Sequence, residues 1–366
     1  MLQTIIWGIE HLKNIPPIKE GKRLLVVSDN SFPLLPIHES IMTSLCEYTF
    51  FCDFGSNPLY EDVCKGVELY HRNNCEAILA IGGGSSIDVA KCIKLFSNME
   101  PSSCFLKEKF RDSPIPLLAI PTTAGTGSES THFAVIYYNG AKQSISHSCI
   151  LPNYAILEPS VLTTLPIYQK KCTFLDALCQ GIESWWSVNS TPQSIKHSCY
   201  AVKTLIDNLD GYLIKNEKPS ARNVMDAANR AGQAINITQT TAPHAFSYKL
   251  TSLYGIPHGH AVAVCLPEIW LYMLQHEENC IDSRGFGYLN NIFHDIAAAL
   301  HQPTPRDAIN FFKQILNQLN IEQPQSLSKT TDIDILVHSV NPDRLKNNPI
   351  SLNPTAINDI YNSILL

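Results

Sequence analysis

The chain has 366 residues, enough for two ordinary cores, and its 45% hydrophobic and 16% charged residues exclude an intrinsically disordered chain. A formal net charge of −6 offers no electrostatic footprint for nucleic acid or an anionic membrane, although a local cluster of donors can still oppose that sign around a small anionic substrate. The twelve cysteines stand at least six residues apart and form no CxxC pair, which argues against zinc-ribbon and thioredoxin-type sites and suits buried thiols in a reducing cytosol.

The opening Met1–Asn14 lacks a basic region, a long apolar core and a cleavage site, so it does not read as a signal peptide. No apolar run reaches the roughly 18 residues needed to span a bilayer. A cytoplasmic protein without membrane or nucleic-acid partners is expected.

Arg23–Val27 reads as a buried strand stopped by Ser28-Asp29-Asn30. A helical pattern over Tyr60–Asn73 follows, then a second strand, Ala77–Ile81, ending at Gly82-Gly83-Gly84. Ile87–Phe96 is again helical, and Ile115–Ile120 is a third strand ending at Pro121-Thr122-Thr123-Ala124-Gly125. This alternation predicts a parallel α/β sheet covered on both faces. Ala155–Pro159 is expected to cross between domains. Beyond about Leu162 long helical patterns take over: Leu175–Val188, Ser194–Ile214, Ala221–Ile237, Ala261–His276 and Pro305–Leu319. An α/β domain over residues 1–158 and a helical domain over 159–366 follow from this change of texture.

Gly82-Gly83-Gly84-Ser85-Ser86-Ile87-Asp88 follows a predicted strand and opens a predicted helix. Glycines there let the backbone approach a ligand, and the free N–H groups of a helix start favour an anion such as a pyrophosphate. The run departs from the usual GxGxxG fingerprint with a later acid, because the acidic candidate, Asp29, precedes the glycines. A second loop, Thr122–Glu129, brings hydroxyls and glycines to the end of the next strand. Either loop alone can be a tight turn or a helix cap. Two at neighbouring carboxyl ends favour a ligand.

In the helical half Asp176 and Gln180 stand at i and i+4 and share a helix face. His244 and His258 follow, the latter in Ile256-Pro257-His258-Gly259-His260. One carboxylate with two imidazoles suits Zn²⁺ or Fe²⁺. Taken singly each histidine is more often a structural residue, and spacing alone cannot bring Asp176 to His244.

Four motifs in order carry a resemblance: Gly82-Gly83-Gly84-Ser85-x-x-Asp88-x-x-Lys91, Pro121–Glu129, Leu175-Asp176-Ala177-Leu178 and Pro257-His258-Gly259. From about residue 20 onward the chain resembles the iron-containing (group III) alcohol dehydrogenases. The resemblance implies a dinucleotide-binding α/β domain, an all-helical metal-binding domain as in dehydroquinate synthase, and a metal in the cleft between them. It places Asp29, Asn57, Gly83, Gly84, Ser85, Asp88, Thr122, Thr123, Thr126 and Ser128 around NADH or NADPH, with Asp29 at the acidic position associated with NADH. It makes Asp176, His244 and His258 ligands to Fe²⁺ or Zn²⁺.

Two positions depart from the pattern. Gln180 stands where many members carry a third histidine ligand, and its amide carbonyl can still bind Fe²⁺ or Zn²⁺, more weakly than imidazole. Tyr248 stands where several carry a second histidine associated with proton transfer. A narrower similarity, to the phosphonoacetaldehyde reductase branch, covers both departures: Leu175–Ser190, Thr131–Val135 and Thr241–Tyr248 match it. That branch reduces phosphonoacetaldehyde to 2-hydroxyethylphosphonate in phosphonate biosynthesis. Lys249 replaces a usual proline.

The chemistry so implied is hydride transfer from a nicotinamide to an aldehyde carbon, with a metal stabilising the alkoxide. Tyr248 and His260 are the candidate proton relays, and His132 and Lys249 the candidate partners of a phosphonate. Competing readings are a lactaldehyde or short-chain alkanal reductase of the same family, a dehydroquinate synthase-like lyase, and a non-catalytic nucleotide-binding relative. A homodimer or higher homo-oligomer is expected from the family.

Overall fold

A computed structural model describes residues 3–100 and 104–366. Its chain divides into two compact units. The first runs to Leu165 and takes in Asn216–Met225; the second comprises Pro166–Lys215 and Asp226–Leu366.

The first unit is built on a six-stranded parallel sheet of order β1-β8-β5-β4-β2-β3. Its strands are β1 (Thr4–Trp7), β2 (Leu24–Ser28), β3 (Tyr48–Phe51), β4 (Ala77–Gly82), β5 (Leu117–Pro121) and β8 (Tyr154–Leu157). β2, β4 and β5 are buried along their whole length, as strands covered on both faces must be, which explains their continuous apolar runs. Short helices α1 (Pro16–Lys19) and α2 (His38–Met42) join the early strands, α3 (Tyr60–Arg72) links β3 to β4, and α4 (Gly84–Phe96) links β4 to β5.

β2 leads out to β3 on one side, whereas β4 leads to β5 on the other. The strand order therefore reverses between β2 and β4, and a parallel sheet binds ligands at the carboxyl ends beside such a reversal.

Several expectations shift here. The expected inter-domain crossing at Ala155–Pro159 is instead mostly strand: β8 pairs in register with β1 and β5, and the division between units falls after Leu165. The short apolar run of β8 reads the same whether it bridges two domains or fills a sheet. A hairpin of β6 (Phe133–Tyr138) and β7 (Ala141–Ser146) was not foreseen. Its turn, Asn139-Gly140, has φ of +51° and +72°, the two positive angles of the Asn-Gly hairpin turn.

The second unit contains α5 (Ile167–Trp186), α6 (Pro192–Asp207), most of α7 (Lys218–Thr238), α8 (Ala242–Tyr254), α9 (His258–Gln275), α10 (Phe286–Ala299), α11 (Pro305–Gln318), α12 (Lys329–Ser339), α13 (Pro342–Leu345) and α14 (Pro354–Ile364). No strand is found among its described residues. The pattern expected over Ser194–Ile214 splits, because α6 ends at Asp207 and Asp210–Ile214 forms a π-helical turn.

α5 is buried all round from Cys172 to Trp186 and packs against α6 and α9. Trp186, Trp270 and Phe293 stack edge-on or tilted at 5.6–6.1 Å and tie α5, α9 and α10 together. The twelve cysteines, all among the described residues, form no disulfide. No described helix is long and apolar enough to cross a membrane.

Candidate active site

In the first unit, Asp29, the glycine run and Thr122–Ser128 follow β2, β4 and β5, three neighbouring strands. Gly82 has φ +150°, and a Cβ there would fall 2.3 Å from Ser86 Oγ and 3.7 Å from Asp29 Oδ2. Only glycine fits, and the Asp29 carboxylate sits beside it. Asp29 Oδ1 is already occupied by the Ser31 N–H at 2.8 Å and the Ser31 hydroxyl at 2.5 Å, so Oδ2 is the oxygen turned toward the glycines.

A Cβ on Gly84 would lie 3.0 Å from Thr126 and one on Gly83 3.6 Å from Thr123, so the two loops lie against each other. Gly83 caps α4 without a side-chain hydrogen bond, leaving the first-turn N–H groups to another acceptor. Ser85 donates to the Ser56 carbonyl at 2.6 Å, beside exposed Asn57. The Thr122 N–H bonds the Gly82 carbonyl at 3.0 Å. This cradle of close backbone and uncapped helix start fits a pyrophosphate.

Asp88 and Ser128 are placed differently from the other loop residues. Ser128 Oγ donates to Asp88 Oδ1 at 2.6 Å and the Val135 N–H to Asp88 Oδ2 at 2.9 Å. Buried Lys91 donates to Ser128 Oγ, Thr131 Oγ1 and the Phe133 carbonyl at 3.0, 3.1 and 2.6 Å. Burial raises the Asp88 carboxyl despite Lys91, and pushes Lys91 down to about 8 despite Asp88. These groups anchor the β6–β7 hairpin on α4, so both Asp88 oxygens have internal partners. His132 also lies in this unit, its ring against Phe133 at 4.1 Å and its carbonyl accepting the His147 N–H.

In the second unit the fold joins what spacing could not. Asp176 lies in the middle of α5, His244 in the first turn of α8 and His258 at the first residue of α9. One ligand atom from each lies within 4.8 Å of the other two. His244 Nε2 is 3.3 Å from Asp176 Oδ1, and the two imidazoles meet at 5.2 Å and 69°.

Gly259 makes this approach possible. A Cβ there would fall 1.9 Å from the Cys172 carbonyl oxygen and 3.0 Å from Asp176 Cβ, so α9 touches α5 through bare backbone. Gln180, one turn after Asp176, donates to Asp176 Oδ1 at 3.2 Å, while its own buried carbonyl oxygen has no hydrogen-bond partner. Burial alone would raise the Asp176 carboxyl, but the His244 hydrogen bond and the nearby imidazoles hold it below its usual range. Burial likewise opposes a charged His244, yet the Glu183 and Asp176 carboxylates outweigh it and push the imidazole up to about 9. One carboxylate, two imidazoles and an unpaired carbonyl oxygen form a donor set that fits a divalent cation.

The Tyr248 ring lies nearly flat against His258, 5.8 Å away at 11°. Burial pushes its phenol up, with the Arg344 charge pulling the other way. His260 does not join the cluster. Its ring nitrogens are engaged by the Tyr168 hydroxyl at 2.8 Å and the Glu322 carbonyl at 2.7 Å, and burial holds it below its usual value. Lys249 is half-buried on α8 next to Tyr248.

Sequence reasoning passed over two residues, Glu183 and Arg344. Glu183 is fully buried and contacts His244 Nδ1. Its signal was a carboxylate at i+7 from Asp176, on the same helix face. Arg344 lies on the four-residue α13, which packs against α8, and no local pattern pointed to it.

The comparisons agree with this architecture. The model of the iron-containing alcohol dehydrogenase family matches residues 3–159, and that of the family's C-terminal region matches residues 171–365. The chain is 34% identical over 251 residues to phosphonoacetaldehyde reductase of Streptomyces viridochromogenes. That alignment covers 64% of this chain and 62% of the relative, under two thirds of the relative's length. An iron-containing alcohol dehydrogenase structure from Thermococcus thioreducens superimposes with a TM-score of 0.88 at 24% identity, covering 100% of this chain and 98% of that one. A sulfoacetaldehyde reductase from Bifidobacterium kashiwanohense in complex with NAD⁺ gives 0.84 at 25% identity, covering 100% and 99%.

Proposed function

The chain belongs to the iron-containing alcohol dehydrogenase family, and from that premise we propose that it reduces an aldehyde to a primary alcohol, with phosphonoacetaldehyde as substrate and 2-hydroxyethylphosphonate as product. The observation that carries the reading is the convergence of Asp176, His244 and half-buried His258, with buried Gln180 one turn along α5 from Asp176. Similarity to reductases of phosphonoacetaldehyde and sulfoacetaldehyde supports the substrate class, since both are two-carbon aldehydes bearing a tetrahedral oxyanion.

Asp176, His244, His258 and the Gln180 carbonyl would hold Fe²⁺, with Zn²⁺ as the alternative. Asp29, Gly82–Ser85 and Thr122–Thr126 would hold the nicotinamide cofactor. When bound, the cation supplies Lewis-acid stabilisation of the developing alkoxide and the reduced nicotinamide supplies the hydride.

The remaining roles belong to the chain. The uncapped start of α4 receives the pyrophosphate. Asp29 Oδ2, beside Gly82, accepts from a ribose hydroxyl and repels a 2′-phosphate, which favours NADH over NADPH. Tyr248 is half-buried, keeps its phenolic proton because desolvation raises its pKa, and gives that proton to the alkoxide oxygen. The overall balance is aldehyde, NADH and one proton in, alcohol and NAD⁺ out.

A dianionic substrate needs opposing donors. Arg344 lies on α13, which packs against α8, the helix that carries His244 and Tyr248, and it is the residue we assign to the phosphonate, beside the candidates Lys249 and His132.

The test is NADH oxidation with phosphonoacetaldehyde beside lactaldehyde and propanal, in protein loaded with Fe²⁺ or Zn²⁺. A strong preference for phosphonoacetaldehyde is expected. Comparable rates on all three would overturn the phosphonate assignment and leave an aldehyde reductase of broader range. No oxidation with any of them would overturn the reductase reading itself.

A further inference from the structure

We infer that Glu183 is the positioning carboxylate of the metal centre, holding His244 in the single orientation and tautomer in which its Nε2 can ligate. The inference rests on the metal-site reading above and assigns a role to a residue outside the donor set.

Glu183 follows Asp176 by two helical turns on α5, so both carboxylates leave the same face. It is fully buried. An unpaired carboxylate at such a place costs several kcal/mol, so its partners must account for its presence. Oε2 accepts from the Thr241 backbone N–H at 2.7 Å and from Thr241 Oγ1 at 2.9 Å. The Thr241 hydroxyl is itself fixed, because it accepts from Trp186 Nε1 at 2.9 Å. Oε1 meets His244 Nδ1.

A carboxylate accepts only, so Nδ1 must carry the proton. Nε2 faces Asp176 Oδ1, 3.3 Å away, and is the nitrogen that gives up its proton when a cation binds. A ligating histidine held through its other nitrogen by a carboxylate gains basicity and a fixed ring plane. Ser247 serves His258 in a lesser way. Its hydroxyl donates to the His244 carbonyl at 2.8 Å and so offers a lone pair to His258 Nδ1 at 3.4 Å.

A bland alternative is that Glu183 merely caps the start of α8 through Thr241. Glu183→Gln separates the two roles. The amide oxygen can still accept from Thr241, but the NH₂ then faces His244 Nδ1. That forces the proton onto Nε2, where it blocks a cation. The positioning role predicts that Glu183→Gln keeps its fold and thermal midpoint but binds Zn²⁺ or Co²⁺ more weakly by about 10–100-fold, read by chelator competition. A cap alone predicts wild-type affinity.

Wild-type protein and His258→Ala run beside it. If wild type binds one ion that His258→Ala loses, and Glu183→Gln binds it as tightly as wild type, the positioning role is overturned and the metal reading stands. If wild type binds no ion, or His258→Ala leaves binding unchanged, the metal reading fails and takes this inference with it. Should Glu183→Gln not fold, ¹⁵N resonances of the histidine rings in Zn²⁺-loaded wild type decide. A protonated Nδ1 and metal-bound Nε2 at His244 support the role, and the opposite tautomer overturns it.

Discussion

Gln180 donates its amide nitrogen to Asp176 Oδ1 at 3.2 Å, and its carbonyl oxygen is left buried without a partner. An unmet buried acceptor costs about 1–3 kcal/mol, so this side chain is under-satisfied by the protein alone. A cation held by Asp176, His244 and His258 would give it a partner. An amide oxygen is a weaker donor than imidazole, and Gln180→His is therefore expected to tighten Zn²⁺ binding by on the order of tenfold. Competition against a coloured chelator checks this, and an unchanged affinity would place Gln180 outside the coordination sphere.

His258→Ala removes one imidazole from the cluster. Metal-dependent turnover is expected to vanish, with metal content falling in parallel by elemental analysis. Activity retained in metal-stripped wild type would sink the metal-centred mechanism.

Gly259→Ala should damage both fold and site. The new Cβ would stand 1.9 Å from the Cys172 carbonyl oxygen, which is backbone and cannot swing aside. α9 must move from α5, at a cost of about 1–3 kcal/mol or more, and carry His258 away from Asp176. Gly287→Ala on α10 meets nothing within 4 Å and serves as the control, expected to be neutral or slightly stabilising. Urea unfolding and metal content of the two variants check this, and equal behaviour would contradict the close helix contact.

Arg344→Gln tests the substrate class. Loss of a charge-assisted hydrogen bond worth about 1.5–3 kcal/mol should raise KM for phosphonoacetaldehyde by roughly 10–100-fold. KM for propanal should hardly change. Equal effects on both aldehydes would remove Arg344 from phosphonate recognition.

Lys94 supplies a pH prediction away from the site. It is buried on α4, donates to Asn153 Oδ1 at 3.2 Å, and is held at about 8 by burial instead of its usual 10.5. Because the folded value is depressed, the unfolded chain holds the proton more tightly between about 8 and 10.5, and this lysine's contribution to stability rises with pH across that window. Relative to Lys94→Met, the wild type should gain up to about 3 kcal/mol from pH 7.5 to 10.5. Urea unfolding at both pH values measures it. A constant difference between the two proteins would mean that the ammonium is not penalised.

The strands and loops that hold the cofactor cradle could be read from the sequence because they are local. Apolar runs ending in Asp29, Gly82–Gly84 and Thr122–Thr126 carry their own stop signals, and fully buried parallel strands have no polar alternation to confuse them. Asp176 and Gln180 on one helix face were equally local. The Asn139-Gly140 turn was also readable, and was missed.

Other features exist only once the chain is packed. β8 is an internal strand because β1 and β5 flank it, a fact of pairing that a run of four residues cannot announce. His260 reads like a site residue beside His258, but the next-but-one position on a helix points elsewhere, toward Tyr168 and Glu322. Asp176, His244 and His258 converge because α5, α8 and α9 pack together and Gly259 removes the one Cβ that would hold two of those helices apart. The sequence determined which donors the protein carries and which helix faces they occupy. Only tertiary packing decided which of them meet, since contacts across helices depend on ångström-scale backbone approach that periodicity does not encode.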